Sequence, residues 1–322
     1  MKILVTGGVG LIGSELVSEL RSRGHEVWVV DLGSQRHEAR FSDPIHSSHS
    51  LSYIRCDVAH YRQVQRIFEE HSFDYVYHLA AEVGRWIGED FYENVWITNA
   101  IGTKNMLRMQ EQYRFRLIFT SSSEVYGDYE GVMYEDVMDK VPIRQMNDYA
   151  ISKWVNEMQI LNSADMSNTE SVRVRLFNTY GPGEYYAPHP GYAGALCIFA
   201  YQALHDIPYT VYGGHHRTFT YVTDIARTLS NIVDNFIAGE VYNIGGLDYH
   251  SMKEVSDIIL DYLGKDDSLA IYKKLEPHTT IDKKLEVSKA VRDLRHEPQV
   301  PLEEGIPRTI EWMKSVYGKT SS

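Results

Sequence analysis

Apolar and polar positions along the first half of the chain follow two alternating periods. Short apolar runs (KILV near residue 2, EVWVV near 26, YIRC near 53 and YVYHLA near 75) have the length and β-branched content of buried strands. Between them, from Leu11 to Arg23 and from about Gln63 to His71, apolar residues fall three and four apart, which predicts helices. The rhythm continues through a helix over about Val95 to Gln112, a strand RLIFTSS, a helix from about Asp148 to Leu161 and a strand SVRVRLF. Strand, helix and strand in regular succession predict a doubly wound α/β fold on a parallel sheet.

At Phe177 the pattern breaks. The stretch NTYGPGEYYAPHPGYAG reads as loop, and beyond it short strands and helices mix, as in IPYTVYGG, EVYNIGG and MKEVSDIILDYLG. The expected division is a dinucleotide-binding domain over 1–176 and a smaller mixed α/β lobe over 177–322, with segments near 215–240 packing back on the first domain. The tail after Tyr317 is expected to fray. With 322 residues, 43% hydrophobic and 24% charged, the chain has the material for two lobes around a large core. A net charge of −12 without basic clusters argues against nucleic acid as a partner. No apolar stretch has the length of a membrane span, and the opening MKILVTGGVG reads as a strand entering a turn rather than as a secretion signal. Two cysteines, Cys56 and Cys197, form no disulfide framework, so the expected compartment is the cytoplasm.

The first strand runs into TGGVGLIG, with Gly7, Gly10, Leu11, Ile12 and Gly13 opening the first helix. Glycines there allow a tight turn, a close approach of backbone to pyrophosphate, and phosphates at a helix N-terminus, the signature of a Rossmann-type dinucleotide site. The second strand ends in Asp31, where a carboxylate accepts hydrogen bonds from an adenosine ribose and repels a 2′-phosphate, so NAD is expected over NADP. Arg36 and Arg40 nearby read as solvated loop charges.

Tyr149 and Lys153 stand four apart in DYAISK and share one helix face. An ammonium beside a phenol favours the phenolate, so the pair is expected to make tyrosine usable as a base.

Taken with HLAA at 78–81, Asp57-Val58, Asn99 in NAIGT, SSSEVYG, RLFNTYGPG and RTFTYVTD, these motifs resemble the extended short-chain dehydrogenases that modify nucleotide sugars. The resemblance spans about residues 1–245, and the closing VPLEEGIPRTIEWM is similar to that family's C-terminal helix. It implies a tightly held NAD, with Asp57, Val58, Leu79, Ala80 and Ala81 around its adenine and central ribose and Asn99 close behind. It implies that Tyr149 takes the proton from a sugar 4-hydroxyl, that Ser122 bonds the same oxygen and that Lys153 grips the nicotinamide ribose. Asn178 and Arg217 match positions that hold the diphosphate. The implied substrate is a nucleoside-diphosphate sugar, and the implied assembly is a homodimer through the helices near 95–112 and 148–161.

A 4-keto sugar opens three routes: re-reduction to the 4-epimer, loss of water across C5 and C6, or loss of carbon dioxide from a C6 carboxylate. A glutamate before VYG, here Glu124, resembles the eliminating branches, where in dehydratases it is the C5 base. Ser123 precedes it where one dehydratase group has aspartic acid; the Ser-Glu pair resembles the GDP-mannose dehydratase and decarboxylase groups. Glu82 in HLAAE leans toward dehydratases. Arg85 is expected to face the sugar's far end or to pair with an acid such as Glu89, and Ser123 is expected at the substrate. The expected activity is C4 oxidation followed by elimination, with plain 4-epimerisation as the alternative and a non-catalytic dinucleotide sensor as a remote one. His215, His216, His46 and His49 have no acid or cysteine cluster at ligand spacing, so no metal is expected. Tyr185, Tyr186 and Tyr192 either stack on the ligand or pack a hinge.

Overall fold

In a computed structural model, residues 1–33, 52–187, 189, 191–246, 249–277 and 279–318 are described. Arg36, Arg40, His46 and His49 lie outside that range. The first six strands are β1 (Lys2–Thr6), β2 (Glu26–Asp31), β3 (Ser52–Arg55), β4 (Tyr75–His78), β5 (Arg116–Ser122) and β6 (Ser171–Leu176). With Val241–Ile244 they form one seven-stranded sheet in the order Val241–Ile244, β6, β5, β4, β1, β2, β3. Every pairing in it is parallel. The order reverses between β1 and β4, and such a switch point opens a crevice at the carboxyl ends of the strands.

Helices cover both faces because strands this apolar are wet on neither. On one face Leu16, Val17 and Leu20 of the helix Leu11–Ser22 pack with Ile225 and Leu229 of the helix Val222–Asn231. On the other, Val64, Ile67, Phe68, Met106, Leu107 and Ile160 close the core. The segment 222–244 thus belongs with the sheet although it follows the chain's excursion into the second lobe. That lobe has its own core of Leu196, Phe199, Tyr209, Val211, Val255, Ile259, Ile306 and Ile310.

Two helices differ from the sequence expectation. The helix expected over about 95–112 is three pieces: Tyr92–Val95, a π-helical turn Trp96–Ile101, and Gly102–Tyr113. The widened turn contains Asn99, whose buried amide ties two neighbouring segments and so offsets the poorer local geometry. The helix from Asp148 runs on to Ser167, where Asn168 ends it in the left-handed conformation.

Candidate active site

The glycine turn is fixed by crowding. Gly7 has φ +70°, and a Cβ there would lie 2.7 Å from the Ala80 nitrogen; one on Gly13 would lie 2.1 Å from the Gly7 carbonyl oxygen. No side chain caps the helix Leu11–Ser22 and no acid stands in its first turn, so its positive end faces the crevice unneutralised. Asp31 accepts from the Val9 N–H at 3.1 Å and from the Leu32 N–H at 2.8 Å, which aims its carboxylate at the mouth of the turn. These groups open one end of a cleft of about 1000 Å³ whose wall also includes Leu11, Ile12, Asp57, Val58, Leu79 and Ala81. The cradle fits a dinucleotide.

Asn99 supports the cleft wall from behind, at Glu82. It is buried, its Oδ1 accepts from the Glu82 N–H at 2.9 Å, and its Nδ2 donates to the Glu82 carbonyl and to Ser152 Oγ, both at 3.0 Å. It positions the loop after β4 against the helix that carries Tyr149.

The middle of the cleft is built by the end of β5. There Ser122 caps a single tight turn, Ser123–Tyr126, its Oγ accepting from the Glu124 N–H at 3.2 Å. Gly127 closes that turn at φ +51°, and a Cβ would strike the Arg144 carbonyl oxygen. This accounts for the glycine of EVYG. Asn147 caps the helix Asp148–Ser167 by accepting from the Ala150 N–H at 2.8 Å, and its Nδ2 donates to Glu124 Oε2 at 3.4 Å. One residue thereby sets both Tyr149 and Glu124.

Tyr149 is buried and hydrogen-bonded to Ser122; burial raises its pKa, the Ser122 bond opposes that, and the charge of Glu124 adds to the rise. Lys153 donates to the Thr120 carbonyl at 2.9 Å, with its ammonium 6.0 Å from the Tyr149 ring centroid. Burial lowers Lys153 to about 7, against the pull of Glu157. The expected lowering of the phenol by Lys153 is not seen in the chain alone: burial outweighs the Ser122 bond and holds Tyr149 above its usual value.

Glu124 does not stand alone either. Its Oε1 forms an ion pair with Lys283, which is buried on the short strand Asp282–Lys283. Burial pushes the Glu124 carboxyl up, but Lys283 first, then Arg85 and Arg217, outweigh it and hold the group at about 2. Burial brings Lys283 down to about 8, with Glu124 resisting. Arg217 lies beside them. Its terminal nitrogens donate to the carbonyls of His216 at 2.8 Å, Ile281 at 2.6 Å and Thr280 at 2.8 Å. The guanidinium braces the 279–281 loop while lining the wall of the same cleft. Asn178, on the cleft wall, donates to the Thr218 carbonyl at 2.8 Å and ties the end of β6 to the same region.

Arg85 pairs with Glu276 across the cleft rather than with Glu89, and Ser123 is buried in the same wall. His215 is buried: its Nε2 accepts from the Glu276 N–H at 2.8 Å and its Nδ1 donates to the Thr280 carbonyl at 3.2 Å. Among the described residues no three His, Cys, Asp or Glu side chains gather as a metal site. Tyr186 stacks on Tyr201 with centroids 3.7 Å apart, and Tyr185 meets Trp312 edge-on at 5.2 Å, so much of the aromatic loop is packed on the second lobe. Sequence reasoning missed Lys283 and Glu276. Both come from a polar stretch in which nothing distinguishes Lys283 from Lys284, and only the fold brings them to Glu124 and Arg85.

Residues 3–245 match the family model described as the NAD dependent epimerase/dehydratase family. The chain belongs to that family. Its cofactor is NAD, and the cradle at Gly7–Gly13 and Asp31 is where the geometry fits it. The chain is 30% identical to a UDP-N-acetyl-alpha-D-glucosaminuronate decarboxylase of Bacillus cytotoxicus, over 98% of each chain. It is 31% identical to UDP-glucuronic acid decarboxylase 1 of Arabidopsis thaliana, over 96% of this chain and 69% of that one. Among solved structures, the UDP-glucuronic acid 4-epimerase of Bacillus cereus, in complex with UDP-glucuronic acid and NAD, superposes with a TM-score of 0.87 at 26% identity. That match covers 98% of this chain and all of the other. As a member of this enzyme family, the chain acts on nucleotide sugars with NAD.

Proposed function

We propose that this enzyme decarboxylates a UDP-hexuronate, oxidising C4 and then releasing C6 as carbon dioxide. The observation that carries the reading is the Glu124–Lys283 pair. A carboxylate held at about 2 is a poor base for a C5 proton, because a general base works best with a pKa near the working pH. That disfavours dehydration, in which Glu124 would be the C5 base. Decarboxylation needs no C5 base: the C5–C6 bond breaks, its electron pair moves toward the C4 carbonyl, and C5 then needs a proton. Lys283, brought to about 8, is matched to give it.

Bound in the glycine cradle, NAD supplies the oxidising and reducing equivalents at C4. Tyr149 carries the proton to and from the C4 oxygen, Ser122 shares that oxygen, and Lys153 holds its charge beside them. Glu124 keeps Lys283 in place. Two guanidinium groups, Arg85 and Arg217, line the cleft there beside Glu124 and Glu276, with Lys283 and Asp282 behind them, and a guanidinium fork on the wall suits a carboxylate from the substrate. UDP rather than another nucleotide is supported by the relatives' printed activities.

A second reading is 4-epimerisation of the same substrate. The Ser122, Tyr149 and Lys153 group supports it, since re-reduction needs nothing more, as does the likeness to a UDP-glucuronic acid 4-epimerase.

Apolar side chains of Tyr92, Ile97, Ile101, Met158 and Leu161 are exposed on the paired helices beside the catalytic segment. A homodimer through that face is part of the proposal. Among the described residues no helix is long and apolar enough to cross a membrane, and the two buried free cysteines suit a reducing compartment such as the cytoplasm.

Stopped-flow absorbance tests the C4 oxidation: mixing the NAD-loaded enzyme with UDP-glucuronate should give a transient NADH signal that Tyr149→Phe loses. If no UDP-sugar produces that signal at any time, the catalytic reading is wrong.

A further inference from the structure

The three cations at the sugar end are committed to different degrees. Arg217 is held by three carbonyls at 2.6 to 2.8 Å, and Lys283 is buried on Glu124. Arg85 has one ion-pair partner, Glu276, and lies over the Trp86 ring, while its Nε is buried with no hydrogen-bond partner. A guanidinium nitrogen left unpaired in such a place is costly, and a side-on carboxylate that takes Nε together with one terminal nitrogen would satisfy it. Gly84, at φ +104°, where a Cβ would lie 2.5 Å from the Gly191 carbonyl oxygen, sets the backbone from which Arg85 enters the cleft. Glu276 is held by its backbone as well. Its backbone N–H is pinned to His215 Nε2 at 2.8 Å, so its carboxylate can leave Arg85 by side-chain rotation alone, without moving the loop.

We propose that Arg85 receives the substrate's C6 carboxylate, and that Glu276 is a built-in counter-ion which that carboxylate displaces. The inference rests on the hexuronate reading above and adds a specificity device to it. With Glu276 in place Arg85 is not left as an unpaired half-buried charge before substrate binds. A hexuronate trades one carboxylate for another on Arg85 and also satisfies Nε. A neutral hexose has nothing to trade, so the Arg85–Glu276 pair stays closed and adds nothing to its binding.

The test is calorimetric titration of the NAD-loaded enzyme, in a Tyr149→Phe background that leaves ligands unconverted, with UDP-glucuronate, UDP-glucose and UDP. Arg85→Met should weaken UDP-glucuronate by at least about 10-fold and leave UDP-glucose and UDP unchanged. Arg85→Lys, which keeps the charge and loses the fork, should restore only part of the affinity. Glu276→Gln should tighten UDP-glucuronate several-fold, about 3-fold or more, because its competitor for Arg85 is gone. Equal weakening of both sugars by the Arg85 variants, or weaker UDP-glucuronate binding in Glu276→Gln, would overturn the exchange while leaving the hexuronate reading standing. A parent protein that binds UDP-glucose and not UDP-glucuronate would overturn both.

Discussion

Replacing Lys283 by methionine removes the charge that does most to hold Glu124 ionised, and leaves a buried carboxylate without its closest partner. Such a group rises toward neutrality. Lys283→Met is therefore expected to release carbon dioxide slowly and to stall before C5 is protonated, while the NADH transient persists. Rates should fall by about 100-fold, the usual contribution of a positioned acid. In the unmodified enzyme turnover should decline as pH passes about 7, where Lys153 loses its proton, and again past about 8, where Lys283 does. Lys283→Arg should remove only the second decline; a pH profile of kcat decides this, and an unchanged profile would take Lys283 out of the chemistry. The Glu124–Lys283 pair also ties stability to acid. Because the folded pKa of Glu124 is depressed, the pair's contribution is complete above 4.5, the usual carboxylate value, and is lost as pH falls toward 2.

At the scale of elements, the helix Asp148–Ser167 is held to the sheet by charge as well as by packing. Glu157 is fully buried, accepts from Ser121 Oγ at 2.6 Å, and takes Arg175 of β6 in two bonds of 3.0 and 2.8 Å. Arg175 in turn donates to the Tyr126 hydroxyl at 3.0 Å, so both ends of the Ser121–Tyr126 segment hang on one ion pair. Glu157→Gln leaves Arg175 buried and uncompensated, and should cost about 3–5 kcal/mol in chemical denaturation; a loss under about 1 kcal/mol would show the network to be incidental. Much of this level was readable in the sequence. Strand runs, the glycine turn and the four-residue step from Tyr149 to Lys153 are local patterns, and local sterics decide them. The partners were not readable. Lys283 reaches Glu124 across 159 residues, and the backbone carbonyls that hold Arg217 are ones only the fold supplies. The π-turn at Trp96–Ile101 escaped for the same reason, since Asn99 is recruited by Glu82 and Ser152 from other segments.

The whole molecule sets a sheet-built cofactor site against a second lobe that brings the sugar-end charges. The strand Asp282–Lys283 and the Glu276 loop belong to that lobe and meet the β5 turn across the cleft, so catalysis needs both halves in register. The helices behind Tyr149 carry the exposed apolar face, and association there would brace the catalytic helix from outside. Ile97→Asp with Leu161→Asp should turn a dimer into a monomer in light scattering after gel filtration; a native protein that runs as a monomer at working concentrations would contradict the assembly. The proposed bond changes run in order: C4 is oxidised, C6 is lost, C5 is protonated and C4 is reduced again. Giving the enzyme UDP-glucuronate in deuterated water and reading the product by mass spectrometry and NMR decides that order. The expected product is a UDP-pentose, lighter than the substrate by one carbon dioxide and carrying one deuterium at C5. A hexuronate of unchanged mass with C4 inverted would contradict it, and would leave Lys283 and Glu124 as the frame of a 4-epimerase.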